Sequence, residues 1–420
     1  MSQAPEQAQI YHYERLAGEW PTRFHLRVDP DGGGILLANA AEAAYLSPVG
    51  VLMARHLLEG RDEGAIRADL DKQFGRVPEA QVSADLAAVG QLIHDLSAPG
   101  DNYPITNLAD PGASSWTRAL AAPLRADVDQ ADPETARTML QRLWDAAIPH
   151  ACILVDPDRD PNELPAIAQA AEDLGMICGA RAVASWLPPE VIEEMAMAGL
   201  DHLDLVYGSM DADAHDLLAG GGDHARVLAA FEQCHKLELC PVAQVPLVDA
   251  NADYLDEIMA ALFEVGVTNA VCFALACTDD DEQADAAGAL PARSLAQVAT
   301  LLVEATEQAQ VRYLWAPPVR FDNSRSLAEQ VRRGPRSSGD MTIRVQADGS
   351  VLPARGGGCA GNVLTDAWPQ IWGNDCFARY RERLAAPTRC AGCPDLAICV
   401  ADCPKDPSGW SDDREGGASQ

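Results

Sequence analysis

The chain is predicted to be an α/β protein: a partial (β/α)6 TIM-like barrel set between an N-terminal winged-helix domain and a C-terminal cysteine-rich metal-binding domain. Three observations predict this. Strand-like and helix-like segments alternate through the middle of the chain, a hairpin and three amphipathic helices fill the first hundred residues, and four thiols cluster near the end.

Along residues 1–98, Phe24, Leu26 and Val28 alternate with polar neighbours, and Asp29-Pro30-Asp31-Gly32-Gly33-Gly34 turns the chain into Ile35-Leu36-Leu37, which spells a β-hairpin. Helices follow, one after Pro48 carrying Val51, Leu52 and Leu57, one carrying Ile66, Leu70 and Phe74, and one carrying Val82, Leu86, Val89, Ile93 and Leu96. Residues 99–123, with Pro99-Gly100, Pro104 and Pro111-Gly112, read as a linker.

Residues 124–320 carry the alternating elements. Strands are expected at Leu124–Val128, Ala151–Val155, Met176–Ala180, His202–Tyr207, Val242–Val248 and Ala270–Ala276. Helices are expected at Pro133–Ala147, Asn162–Leu174, Pro188–Ala198, Asp211–Leu237, Asn251–Val265 and Ser294–Gln308. Strict alternation implies a parallel sheet with helical crossovers, either the partial barrel or a doubly wound open sheet.

Residues 341–410 hold Cys390, Cys393, Cys399 and Cys403 in a C-x2-C-x5-C-x3-C array, with Cys359 and Cys376 upstream as further candidate ligands. Soft thiolates at such short spacing wrap one metal centre, zinc or an iron–sulfur cluster. A disulfide framework fits poorly, because no basic, apolar leader opens the sequence and the remaining eight of the 12 cysteines are irregularly spaced. A reducing, cytoplasmic setting is therefore expected. The net charge of −32 argues against nucleic acid and anionic membrane surfaces, while suiting a basic peptide.

Elsewhere the bland readings win. Cys152, Cys178, Cys234, Cys240, Cys272 and Cys277 read as small core residues. His215 and His224 flank Gly220-Gly221-Gly222, and His202 starts a strand beside Asp201 and Asp204, as solvated loop or strand-end residues rather than acid–base pairs. Asp279-Asp280-Asp281-Glu282 reads as a solvated acidic loop. Arg355-Gly356-Gly357-Gly358, with Arg344 and Gly334-Pro335-Arg336, forms the one basic, flexible patch, without the strand-to-helix context of a phosphate loop.

Around the cysteine array, Asp348-Gly349-Ser350-Val351-Leu352-Pro353, Gly361-Asn362-Val363, Trp368-Pro369-Gln370-Ile371-Trp372 and Phe377 complete a pattern that resembles the SPASM domain. That domain is the C-terminal cluster-binding extension of radical SAM enzymes that modify peptides or proteins. Ala354 and Asp366 stand where the family often has cysteines, and none follows Cys403, so the resemblance implies one 4Fe–4S cluster rather than two. The hairpin and helices of the first hundred residues are similar to PqqD-like domains, which bind a precursor peptide by strand addition. Phrases at Glu172–Met176, Ala196–Leu205 and Phe231–Pro241 resemble the radical SAM barrel.

The resemblance also implies a C-x3-C-x2-C loop after the first barrel strand, and here Gln130-Ala131-Asp132 leads straight to Pro133. Val155-Asp156-Pro157-Asp158 replaces the family's glycine-rich stretch after the second strand. Radical cleavage of S-adenosylmethionine is thus expected to be absent, and binding of that cofactor is left in doubt. The expectation is a degenerate radical SAM/SPASM-like protein of peptide or peptide-derived cofactor maturation. It would present a precursor peptide, partner an active radical SAM enzyme, or relay electrons through its tail cluster. Two alternatives stay open: an enzyme with a repurposed barrel mouth built from residues such as Asp127, Asp129, Asp156, Arg181 and Asp204, and a zinc-tailed structural binding protein.

Overall fold

Six parallel strands lie side by side in the order of the chain: β5 (Arg125–Asp129), β6 (His150–Leu154), β7 (Ile177–Ala182), β8 (His202–Val206), β9 (Cys240–Leu247) and β10 (Asn269–Cys277). Their order has no reversal, so the doubly wound alternative does not apply. The computed structural model describes residues 7–17, 20–39, 42–97, 120–339, 341–354 and 358–377.

Crossover helices α4 (Pro133–Asp145), α5 (Leu164–Leu174), α6 (Pro189–Met197), α8 (Asp223–Lys236), α9 (Leu255–Glu264) and α11 (Leu295–Ala309) pack on one face of the sheet. That face is apolar because alternate strand residues such as Ala126, Ile153, Ala180, Leu203, Val245 and Cys272 point toward the helices. The helix expected at Asp211–Leu237 is two helices, α7 (Ala212–Ala219) and α8. Gly220 and Gly222, at φ 128° and 77°, break it.

Past β10 come a short α10 (Glu282–Ala286) and the two-residue strand β11 (Leu290–Pro291). Strands β12 (Arg312–Trp315) and β13 (Val319–Arg320) also pair with β10. After α12 (Leu327–Arg332), β14 (Thr342–Val345) lies parallel to β5 at the opposite edge, and β15 (Ser350–Leu352) and β16 (Gly361–Asn362) continue the sheet antiparallel. The expected C-terminal segment thus begins as a strand of the main sheet. The stacked indoles of Trp368 and Trp372 mark the last helix among the described residues, α13 (Trp368–Trp372).

At the N-terminus the hairpin lies within a four-stranded antiparallel meander, β1 (Gln9–Ala17), β2 (Trp20–Val28), β3 (Gly34–Ala38) and β4 (Glu42–Leu46). Helices α1 (Pro48–Leu58), α2 (Glu63–Phe74) and α3 (Glu79–Ser97) follow it, with Ser47 and Asp62 side chains accepting from the Gly50 and Ala65 amides as N-caps. On β2 the period of two divides the labour. Phe24 and Leu26 join the helices' core, while Arg23, His25 and Arg27 face the main sheet.

Those three residues bolt the small sheet onto the loops that lead into the parallel strands. Arg23 pairs with Glu172 and with Asp201 at 3.1 Å, the His25 ring donates to the Gly175 carbonyl at 2.7 Å, and Arg27 donates to the Ala122 carbonyl at 2.8 Å. Arg23→Ala removes two charge-assisted contacts and is expected to cost about 1.5–3 kcal/mol. Hydrogen exchange at the β2 amides checks it; unchanged exchange would mean that this joint does not rest on Arg23.

Candidate functional site

The second face of the parallel sheet carries a buried ionic network. Successive inward positions on β5 are Arg125, Asp127 and Asp129; β6 contributes His150 and Cys152, β7 Arg181, and β8 His202 and Asp204. Asp127 accepts from Arg125 Nε at 2.8 Å, from Arg181 at 3.4 Å and from the Ser337 hydroxyl at 3.2 Å. His202 Nδ1 donates to Asp204 at 2.6 Å, and its Nε2 lies 2.9 Å from His150 Nε2.

Burial alone would raise the Asp127 pKa, but Arg125 and Arg181 outweigh it and hold the carboxyl below its usual range. Asp204 is lowered against the same burial, by His202 and then Arg125. The His150 imidazole is pushed well below its ordinary value by burial, with Arg125 and His202 adding to the effect. Burial raises the Cys152 thiol to about 12, so it stays protonated. Arg125 and Arg181 thus face Asp127, and Arg125 also faces Asp204, inside the network. A side chain at Gly179 would collide with His202, since a Cβ there falls 1.9 Å from the ring, so the glycine is required by close approach.

Three members of the expected barrel mouth, Asp127, Arg181 and Asp204, do meet, but as this closed network. Asp129 pairs instead with Arg344 at 3.0 Å, and Asp156 accepts from the Asp158 amide in its own loop. Toward β10 the face turns apolar, where Val206 of β8 and Val271, Phe273 and Leu275 of β10 cluster with Leu218, Val319, Phe321 and Val331. Arg125, His150, Gln244 and Ser337 escaped sequence reasoning. Charges at every second residue of Arg125-Ala126-Asp127-Val128-Asp129 were the available signal; nothing local marks Gln244 or Ser337.

Between β5 and α4 only Gln130, Ala131 and Asp132 intervene, and Asp132 caps the helix by accepting from the Thr135 amide at 3.0 Å. Of the histidines read as solvated, His202 and His215 are buried and His224 is half-buried. His215 Nδ1 accepts from the Gly208 amide and Nε2 donates to Asp223 at 3.0 Å, tying the β8–α7 turn to α8. His202 likewise is fully buried. The six cysteines expected in the core are all buried there.

Cys359 is exposed and Cys376 half-buried, and a Cβ at Gly358 would lie 3.7 Å from that of Cys376. Cys390, Cys393, Cys399 and Cys403 lie outside the described residues, as do Arg355, Gly356 and Gly357. Among the described residues no group of three or more histidine, cysteine or carboxylate side chains is placed to hold a metal ion. No helix among the described residues is long and apolar enough to cross a membrane.

No family model matches the chain. It is 22% identical over 346 residues to the PqqA peptide cyclase of Ruegeria pomeroyi, spanning 78% of this chain and 85% of that protein. The fold is shared with SuiB of Streptococcus suis at a TM-score of 0.57 and 11% identity, covering 93% of this chain and 94% of SuiB. SuiB has also been solved bound to S-adenosylmethionine and bound to the precursor peptide SuiA; this chain matches each at a TM-score of 0.56 and covers 95% of both. The chain is thus a mixed α/β protein with a parallel sheet that shares the fold of SuiB and is similar in sequence to the PqqA peptide cyclase.

Proposed function

We propose that the chain serves peptide maturation as a radical SAM/SPASM-like protein without the central cluster: it holds a precursor peptide for an active partner enzyme and relays electrons through its tail. The observation that carries this reading is the three-residue, cysteine-free turn after β5, set in a fold that follows SuiB over nearly its whole length. In this reading the parallel sheet is the partial barrel, residues 1–98 are the PqqD-like winged-helix module, and residues from 341 onward are the SPASM-like domain.

The precursor would add a strand to an edge of the N-terminal sheet. Its edges are β1 and β4, and β1 is the longer, nine residues against five. Edge pairing supplies main-chain hydrogen bonds whatever the side chains. Cys390, Cys393, Cys399 and Cys403, with Cys359 and Cys376 upstream, would hold the iron–sulfur cluster, which when bound supplies one-electron transfer. The turn at Gln130–Asp132 offers no thiol to hold the cluster that cleavage of S-adenosylmethionine would need.

Anaerobically purified protein is expected to contain iron and sulfide and to show a broad charge-transfer band. Supplied with S-adenosylmethionine and a strong reductant, it is expected to form no 5′-deoxyadenosine. Colourless protein holding zinc alone would remove the relay; deoxyadenosine formation would overturn the loss of cleavage.

A further inference from the structure

Between α12 and β14 the chain crosses the second face of the sheet as a buried strap, Gly334–Ser338. Arg336 and Ser337 are only 4% and 3% exposed. Arg336 Nε donates to the Pro318 carbonyl at 2.9 Å, Ser337 Oγ donates to Asp127 at 3.2 Å, and the Ser338 amide donates to Thr342 Oγ1 at 2.6 Å. Gly334 and Gly339, at φ 69° and 79°, bend the strap at its two ends, a conformation that favours glycine.

Beneath the strap the polar groups are poorly used. Gln244 is fully buried, and neither its amide nitrogen nor its amide oxygen has a partner. Arg181 Nε and Asp204 Oδ2 also lack hydrogen bonds. Gly334 stands directly on this group, since a Cβ there would lie 3.1 Å from Gln244 Oε1 and 3.2 Å from Arg181 Cδ. Buried amides are ordinarily satisfied. A side-chain amide with a free donor and a free acceptor matches a peptide group, which offers both.

We propose that this face, from Asp127 across Arg181 and Asp204 to Gln244, is a channel for an extended peptide segment, and that Gly334–Ser338 is its resident occupant, displaced when a substrate peptide enters. The proposal rests on the peptide-maturation reading. The strap itself describes the ligand: glycine where Gln244 and Arg181 leave no room for a side chain, a hydroxyl for Asp127, and a basic residue, favoured by a chain of net charge −32. Only non-covalent exchange is involved.

A labelled hexapeptide, GPRSSG, which copies residues 334–339, tests it on the full chain. Ser337→Ala removes the hydroxyl that binds the strap to Asp127. It is expected to tighten peptide binding at least tenfold over wild type and to speed tryptic cleavage after Arg336 by a similar factor. Adding Gln244→Met to that variant should return binding to the wild-type level without lowering the melting temperature. On wild type, saturating peptide should accelerate hydrogen exchange in the strap, a readout independent of any variant. Faster cleavage without tighter binding, binding indifferent to Gln244→Met, or strap exchange unmoved by peptide would each overturn the proposal. The hexapeptide assay involves neither the tail thiols nor the N-terminal module, so its failure is distinct from failure of the maturation reading.

Discussion

Asp127→Ala is expected to lower the unfolding free energy by about 3–5 kcal/mol, because it strips the shared acceptor from two buried guanidiniums. Arg125 Nε and Arg181 lose partners at 2.8 and 3.4 Å in a layer that is 8% exposed or less. Water cannot easily replace the carboxylate there, so each cation keeps its desolvation cost and loses part of its compensation. The check is a double-mutant cycle with Arg125→Met, followed by denaturant melts. Removing both partners should cost clearly less than the sum of the single changes. Strict additivity would show that the two charges are solvated separately.

Acidification should weaken the joint between the small sheet and the main one before most carboxylates titrate. Burial pushes the His25 imidazole from 6.5 to about 3, although its bond to the Gly175 carbonyl resists the change. The folded chain therefore binds fewer protons at this site than the unfolded chain. Its contribution is whole above pH 6.5 and is lost progressively as the pH falls toward 3. At about 1.36 kcal/mol per pH unit, this single group accounts for a loss of about 2 kcal/mol by pH 5. His150, lowered in the same direction, adds to the slope. His25→Gln keeps a donor for Gly175 and should flatten the difference between thermal melts at pH 7 and pH 5; an equally steep dependence in the variant would exclude His25 as its source.

The strands of the parallel sheet were legible because they are short apolar runs between turn signals, and β5 to β10 fall within about two residues of expectation. Strands β1 and β4 were not. Tyr11, His12 and Tyr13 mix polar and aromatic character on a half-buried edge, and Ala43 and Ala44 carry no strand preference. Strand β14 pairs residues 217 positions apart, Thr342 with Arg125, and no local pattern encodes such a partner. The candidate site divides in the same way. Alternating charges at Arg125, Asp127 and Asp129 announce a polar inner face, whereas the metal chemistry predicted from the spacing of Cys390, Cys393, Cys399 and Cys403 falls outside the described residues. That the segment Gly334–Ser338 would come to lie on that polar face is a property of the folded topology alone.

Arg23, His25 and Arg27 fasten the small sheet to the loops that enter β5, β7 and β8. Those strands carry Arg125, Asp127, Arg181 and Asp204, so a disturbance of the N-terminal meander would reach the buried charges through the first residues of three strands at once.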